Sequence, residues 1–203
     1  MFLHLHLDRP SKNPKLENKQ VRILIWGASS SFGICATQLA READYTIVGV
    51  ASSHSEVVRS SGAAYFVDRR AQTATQDLIG LWPYKAVLAA ADSAEDQVVI
   101  GEVLAAHGGG SFLSTMGIRP GVELPEGVTG HFAQYLDDYL DSKNEEFTKW
   151  LWWEYIESVL ESGRLRLVPV RELGGLSQVQ TAWGLLRHGK VSGQRLIISP
   201  NME

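Results

Sequence analysis

The chain has 203 residues, which suits one well-buried domain and leaves too little for two complete ones. Its 19 Lys and Arg against 23 Asp and Glu give a formal charge of −4, with the cations scattered, so nothing offers nucleic acid a basic field. A single cysteine excludes an internal disulfide and a cysteine-rich metal site, and fits a reducing, cytoplasmic setting.

Met1 to Asp8 holds too short an apolar run for a secretory signal, and no stretch of the chain approaches membrane-spanning length. In it His4 and His6 alternate with leucines. Lacking further ligands, they are expected to be exposed, and no metal is assigned. Residues 1–20 read as a connecting segment and residues 21–203 as one domain.

Val21 to Trp26, with the unbroken apolar run Ile23 to Trp26, predicts a buried strand, and Ile34 to Ala43 keeps apolar residues at helical spacing. Between them lies a turn bounded by Gly27 and Gly33. A turn from strand to helix leaves backbone N–H groups unpaired at the positive end of the helix dipole, where a pyrophosphate can rest. The usual fingerprint has three glycines, and Ser30 stands where the second would be. The following run Tyr45 to Ala51 reads as a second buried strand and completes a βαβ unit.

The alternation continues. A short helix over Ser55–Ser61 ends at Gly62, Tyr65 to Asp68 is a third strand, Gln76 to Leu81 a helix and Ala86 to Ala90 a strand. Ala94 to Ala106 carries Val99, Ile100, Val103 and Leu104 at helical spacing, and Gly108 to Gly110 separates it from a strand at Ser111 to Ser114. This rhythm predicts an α/β fold, a Rossmann-like doubly wound parallel sheet with helices on both faces and ligands beyond the carboxyl ends of the strands.

The pattern breaks at residues 116–146, where Gly117, Pro120, Gly121, Pro125 and Gly127 mark turns, and this stretch is read as an insertion. A helix from about Glu145 to Ser162, a strand near Leu165 to Val170, a helix from about Ser177 to His188 and a last strand at Gln194 to Ser199 follow. The first of these helices is apolar around more than one face, through Trp150, Trp152, Trp153, Tyr155 and Leu160 among others. It is either sandwiched inside the domain or covered by a partner or substrate.

Three passages together resemble the nucleotide-binding half of medium-chain dehydrogenase/reductases, in particular the zinc-free fungal oxidoreductases of trans-enoyl reductase type. They are Ile23 to Ala43, Arg59 to Asp68 with Gly62-Ala63 at its centre, and Gly189 to Arg195. The resemblance implies a second, GroES-like domain, which this chain does not contain. Phe2 to Pro10 matches the end of the connecting helix.

The end of the second strand, Ala51-Ser52-Ser53-His54-Ser55, has no carboxylate for a ribose 2′-hydroxyl, so NADP(H) is favoured over NAD. Ser52, Ser53 and Arg69 are the candidates for its 2′-phosphate. Gly27, Ser29, Ser30, Ser31, Phe32 and Gly33 form the candidate pyrophosphate turn, and Lys190 and Ser192 join the cofactor set by resemblance. Asp92, Thr115, His131 and Tyr135 are the candidates for chemistry, since they follow later strands or lie in the insertion and include a neutral-pH proton carrier and a phenol.

Three functions fit. The first is an NADP(H)-dependent reductase of an activated alkene or carbonyl, of quinone or polyketide enoyl type, in fungal secondary metabolism. The second is a repurposed, cofactor-free cyclase or isomerase that folds a small hydrophobic substrate in an aromatic cleft, and the third a partner-binding module. A homodimer is expected, joined through the Trp150 to Leu160 helix, the Phe2 to Leu7 segment or an open sheet edge.

Overall fold

Strands β1 (Arg22–Trp26), β2 (Thr46–Ala51), β3 (Tyr65–Asp68), β4 (Tyr84–Ala89), β5 (Gly110–Ser114) and β6 (Val128–Phe132) form one parallel sheet in the order β3-β2-β1-β4-β5-β6. The computed structural model describes residues 1–203 apart from Lys12, Pro14, Ser53, His54, residues 133–136, Ser192 and Glu203. Helices α1 (Ser31–Glu42), α2 (Ser55–Ser60), α3 (Ala74–Gly80) and α4 (Ala94–Ala105) connect the first five strands.

Alternate residues of each strand feed two apolar layers. Ile23, Ile25 and Ile47 pack with Ala36 and Ala40 of α1 and Val58 of α2. Leu24, Trp26, Val48 and Val50 face the other way, onto Leu78 of α3 and Ile100, Val103 and Leu104 of α4. A strand covered on both faces has no polar side, which is why β1 reads as an unbroken apolar run rather than an alternation. Strand order reverses between β1 and β4, and the β1–α1 turn sits at that switch point.

The stretch read as an irregular insertion contains β6, which pairs with β5 from Gly110↔Val128 to Ser114↔Phe132. Of its residues only Val128 is buried, and Thr129, His131 and Phe132 are exposed. An edge strand with so little to bury leaves no period in the sequence.

A continuous helical stretch follows: α5 (Glu145–Lys149), a π-helical segment Trp150–Tyr155 and α6 (Ile156–Glu161). Tyr155 and Val159 face the interior, whereas Trp152 and Trp153 are 47% and 75% exposed. The helix is therefore packed inside the domain on one side and exposed on the other. Strand β7 (Val170–Glu172), helix α7 (Val179–Arg187) and strand β8 (Arg195–Ile197) make a separate two-stranded parallel sheet. The expected strand at Leu165 to Val170 begins only at its last residue, and the one at Gln194 to Ser199 is shorter than expected.

The segment 1–20 is tied to the domain rather than trailing from it. Phe2 and Leu7 enter the layer beneath α1, the Tyr45 hydroxyl accepts the Asp8 N–H at 2.9 Å, and the Asn18 amide donates to the Ala43 carbonyl at 3.0 Å. Phe2 and Leu7 are internal, while Leu3 and Leu5 between them are half-buried and His6 is exposed. The expectation of two exposed histidines holds for His6 only. His4 is half-buried, and its Nε2 meets the Asp138 carboxylate.

Candidate functional site

The β1–α1 turn is built from close backbone approaches. Gly27 has φ +71°, and a Cβ there would stand 2.5 Å from the Ala91 carbonyl oxygen, so the turn lies directly against the end of β4. The Ser30 N–H closes the turn onto the Gly27 carbonyl at 2.9 Å. Ser30 is then the helix N-cap, extended at φ −72° and ψ 161°, its Oγ accepting the Gly33 N–H at 3.0 Å. The serine that interrupts the glycine fingerprint thus supplies the first helix hydrogen bond itself. The N–H groups of Ser29 and Ser31 have no partner among the described residues. They stand at the positive end of a twelve-residue helix, an arrangement that accepts an oxyanion.

Arg69 follows β3, and its N–H donates to the Ala51 carbonyl at 3.1 Å, which sets it beside the carboxyl end of β2 and next to half-buried Ser52. Its guanidinium is held by Asp96, with Nη1 donating to Oδ2 at 2.7 Å. Asp96 also accepts the Ser93 N–H at 2.9 Å while Ser93 Oγ accepts the Asp96 N–H at 3.2 Å, the reciprocal pair that starts α4. Ser53 and Ser192 lie outside the described residues. Lys190 is exposed in the turn after α7, and no hydrogen bond or ion pair joins its side chain to the β1–α1 turn among the described residues.

Asp92 is turned inward. Its side chain is fully buried, and Oδ2 accepts from Gln97 Nε2 at 2.8 Å and from the Ser114 hydroxyl at 2.9 Å. Gln97 Nε2 donates also to the Gly117 carbonyl at 2.8 Å, and its Oε1 accepts the Arg119 N–H at 2.9 Å. Arg119 in turn donates from Nη2 to the Asp92 carbonyl at 2.6 Å, with the Asp92 carboxylate 3.5 Å away. This network fastens the chain after β5 to the chain after β4. The sequence reading missed Gln97 and Arg119. Gln97 carried a signal, because it shares the apolar face of α4 with Ile100 and Leu104.

The Thr115 hydroxyl donates to the Ala90 carbonyl at 3.1 Å, which commits its proton to the same strand ends. His131 is exposed on β6 and lines a hollow of about 340 Å³ with His4, Leu5 and Phe132, its Nε2 3.4 Å from the Thr129 hydroxyl. Tyr135 lies outside the described residues. Beside the turn, an apolar cavity of about 310 Å³ is lined by Phe2, Phe32, Cys35, Leu39, Phe147 and Leu151, with the His4–Asp138 pair among its polar groups. Burial pushes the Cys35 thiol up, so it stays neutral there. Phe32, read as part of the phosphate turn, sends its ring into this cavity's wall.

No family model matches the chain. It is 34% identical over 202 residues to the trans-enoyl reductase himH of Aspergillus japonicus, covering 98% of this chain and 57% of that protein. The match to this fungal trans-enoyl reductase runs along nearly the whole chain and part of the relative. The trans-enoyl reductase ffsC of Aspergillus flavipes is 28% identical over 96% of this chain and 57% of its own length. The chain therefore spans a little over half the length of these relatives. Among solved structures, CurA of Vibrio vulnificus in complex with NADPH superposes with a TM-score of 0.62 at 14% identity, covering 93% of this chain and 60% of that one. The quinone oxidoreductase of Pseudomonas syringae pv. Tomato DC3000 gives 0.67 at 17% identity, over 87% and 56%. These two likenesses establish the Rossmann-like fold. Among the described residues no helix is long and apolar enough to cross a membrane, and no group of three His, Cys, Asp or Glu is placed to hold a metal.

Proposed function

We propose that the chain binds NADP(H) and serves a reductase that acts on an activated alkene or carbonyl of a small hydrophobic substrate, of quinone or polyketide enoyl type. The observation that carries this is the pair of unpaired N–H groups at Ser29 and Ser31 over a glycine-bounded approach to α1. The N–H groups of Ser29 and Ser31 would hold the pyrophosphate, and Ser52 with Arg69 a 2′-phosphate. No carboxylate follows β2 to favour a free 2′-hydroxyl. The trans-enoyl reductases among its relatives and the NADPH complex of CurA support the same cofactor.

When bound, the dinucleotide supplies the hydride. The chain's own residues orient and exclude water. The cavity wall of Phe2, Phe32, Leu39, Phe147 and Leu151 would desolvate an apolar substrate beside the turn, and the His4–Asp138 pair would face it with a hydrogen-bonding group. Asp92 acts as a positioning residue through Gln97 and Ser114, because its carboxylate has no exposed surface. His131 is the exposed candidate for returning a proton. Tyr135, Lys190 and Ser192 remain candidates by sequence alone.

The chain is also proposed to form a homodimer, through the open β6 edge or the exposed Trp152 and Trp153. Light scattering at micromolar concentration tests this, a monomer mass being the contrary result. For the cofactor, calorimetry with NADPH and NADH is decisive. Preferential NADPH binding, lost in Arg69→Ala, supports the assignment, and no binding at millimolar cofactor removes it. Oxidation of bound NADPH by quinones or enoyl thioesters tests the reaction.

A further inference from the structure

Beside the carboxyl end of β2, the Arg69 cation that would meet a 2′-phosphate is already paired. Arg69 Nη1 sits 2.7 Å from Asp96 Oδ2, and its other guanidinium N–H groups make no hydrogen bond to the described residues. Arg69 follows β3 and Asp96 lies in the first turn of α4, behind β4, while β2 and β1 stand between β3 and β4 in the sheet. The ion pair therefore spans the carboxyl ends of two intervening strands, next to the switch point. The Arg69 side chain is 38% exposed, so a ligand can reach it, whereas Asp96 is 11% exposed and anchored by Ser93.

We infer that Asp96 sets how strongly this chain distinguishes a 2′-phosphorylated nucleotide from an unphosphorylated one, by competing with the phosphate for Arg69. The inference rests on the NADP(H) reading above. A guanidinium neutralised by a carboxylate attracts a phosphate less than a free one, and the phosphate must offer a better partner to draw it across. Asp96 therefore lowers affinity for the phosphorylated nucleotide selectively, and it keeps Arg69 ordered at the crevice when no nucleotide is present. No covalent step is involved. Asp96→Asn keeps an acceptor for the Ser93 N–H, so the start of α4 survives while the charge is lost.

The experiment titrates the full chain with adenosine 2′,5′-bisphosphate and with 5′-AMP, in the wild type, Asp96→Asn, Asp96→Ser, Arg69→Ala and the Arg69→Ala/Asp96→Asn pair. Both Asp96 variants should bind the bisphosphate about three- to fivefold more tightly, the range expected for releasing a partly exposed ion pair. Affinity for 5′-AMP should stay within about twofold, and the gain should vanish without Arg69. Bisphosphate binding that is unchanged or weaker in both Asp96 variants would overturn the inference and leave NADP(H) binding standing, as would a gain that persists in the double variant. Failure of every chain to bind either nucleotide would overturn both readings together.

Discussion

The Cβ that Gly33 lacks would stand 2.3 Å from the carbonyl oxygen of Gly27 and 2.8 Å from the Ala28 Cα. Both neighbours are backbone, so neither can rotate away, and α1 can rest on the end of β1 only because position 33 carries no side chain. Gly33→Val should lower stability by about 2–4 kcal/mol in urea unfolding and abolish nucleotide binding, since the first turn of α1 must lift off the strand. A variant as stable as wild type that still binds nucleotide would show that the turn relaxes freely.

Ser30 stabilises the same turn through the opposite end of the helix bond. Removing its Oγ leaves the Gly33 N–H without its acceptor at 3.0 Å. Ser30→Ala should cost about 1 kcal/mol, and Ser30→Gly only a few tenths, because glycine suits the cap position and lets water reach the amide. Denaturation midpoints of the two variants at constant m-value report the difference.

Gln97 joins Asp92, after β4, to Gly117 and Arg119, after β5. Gln97→Leu keeps its bulk but strands the Arg119 N–H, the Gly117 carbonyl and part of the buried Asp92 carboxylate. A loss of about 2–4 kcal/mol is expected. Amide exchange should accelerate at residues 115–119 well before it does in β1, because the chain after β5 loses its tether while the sheet keeps its own.

Alkaline pH should expose a second buried phenol group, at Tyr155. Burial, with the nearby Glu42 charge adding to it, pushes the Tyr155 hydroxyl up to about 12. An unfolded tyrosine ionises near pH 10, so the fold favours the neutral form. Its contribution is complete below pH 10 and is lost as pH rises through about 12. Tyr155→Phe keeps the ring and removes a hydroxyl that has no hydrogen-bond partner among the described residues, so stability at pH 7 should hold and the decline above pH 10 should flatten. Tyr84 is also held neutral by burial, but its hydroxyl donates to the Leu78 carbonyl at 2.6 Å. Tyr84→Phe should therefore cost about 1 kcal/mol at neutral pH as well. Urea unfolding at pH 7, 10 and 11.5 separates the two.

The sequence by itself determined the alternation from β1 to β5, because β1, β2 and β4 bury almost every residue and α1 and α4 bury a broad face, which frames the shorter elements between them. Tyr65 to Asp68 reads as a strand from those four residues alone, and Ile23 to Trp26 as one buried on both sides. The switch-point turn was legible because Gly33 is demanded by backbone contacts within the turn itself, whereas the contact that demands Gly27 is with Ala91 at the end of β4 and came only with the fold. Tertiary structure decided what depends on meetings between distant residues. The edge strand β6 exists because β5 offers it hydrogen bonds, with only Val128 buried to mark it. β7 and β8 pair with each other across the 22 residues between Glu172 and Arg195 and stay apart from the main sheet. Arg69 looked like a free cation in the sequence, and its partner Asp96 is 27 residues away on another element. Asp92 likewise looked available for chemistry until Gln97 and Ser114 enclosed it. Local periodicity records how much surface an element buries. Which polar groups are left to face a ligand depends on how the folded chain has already paired them.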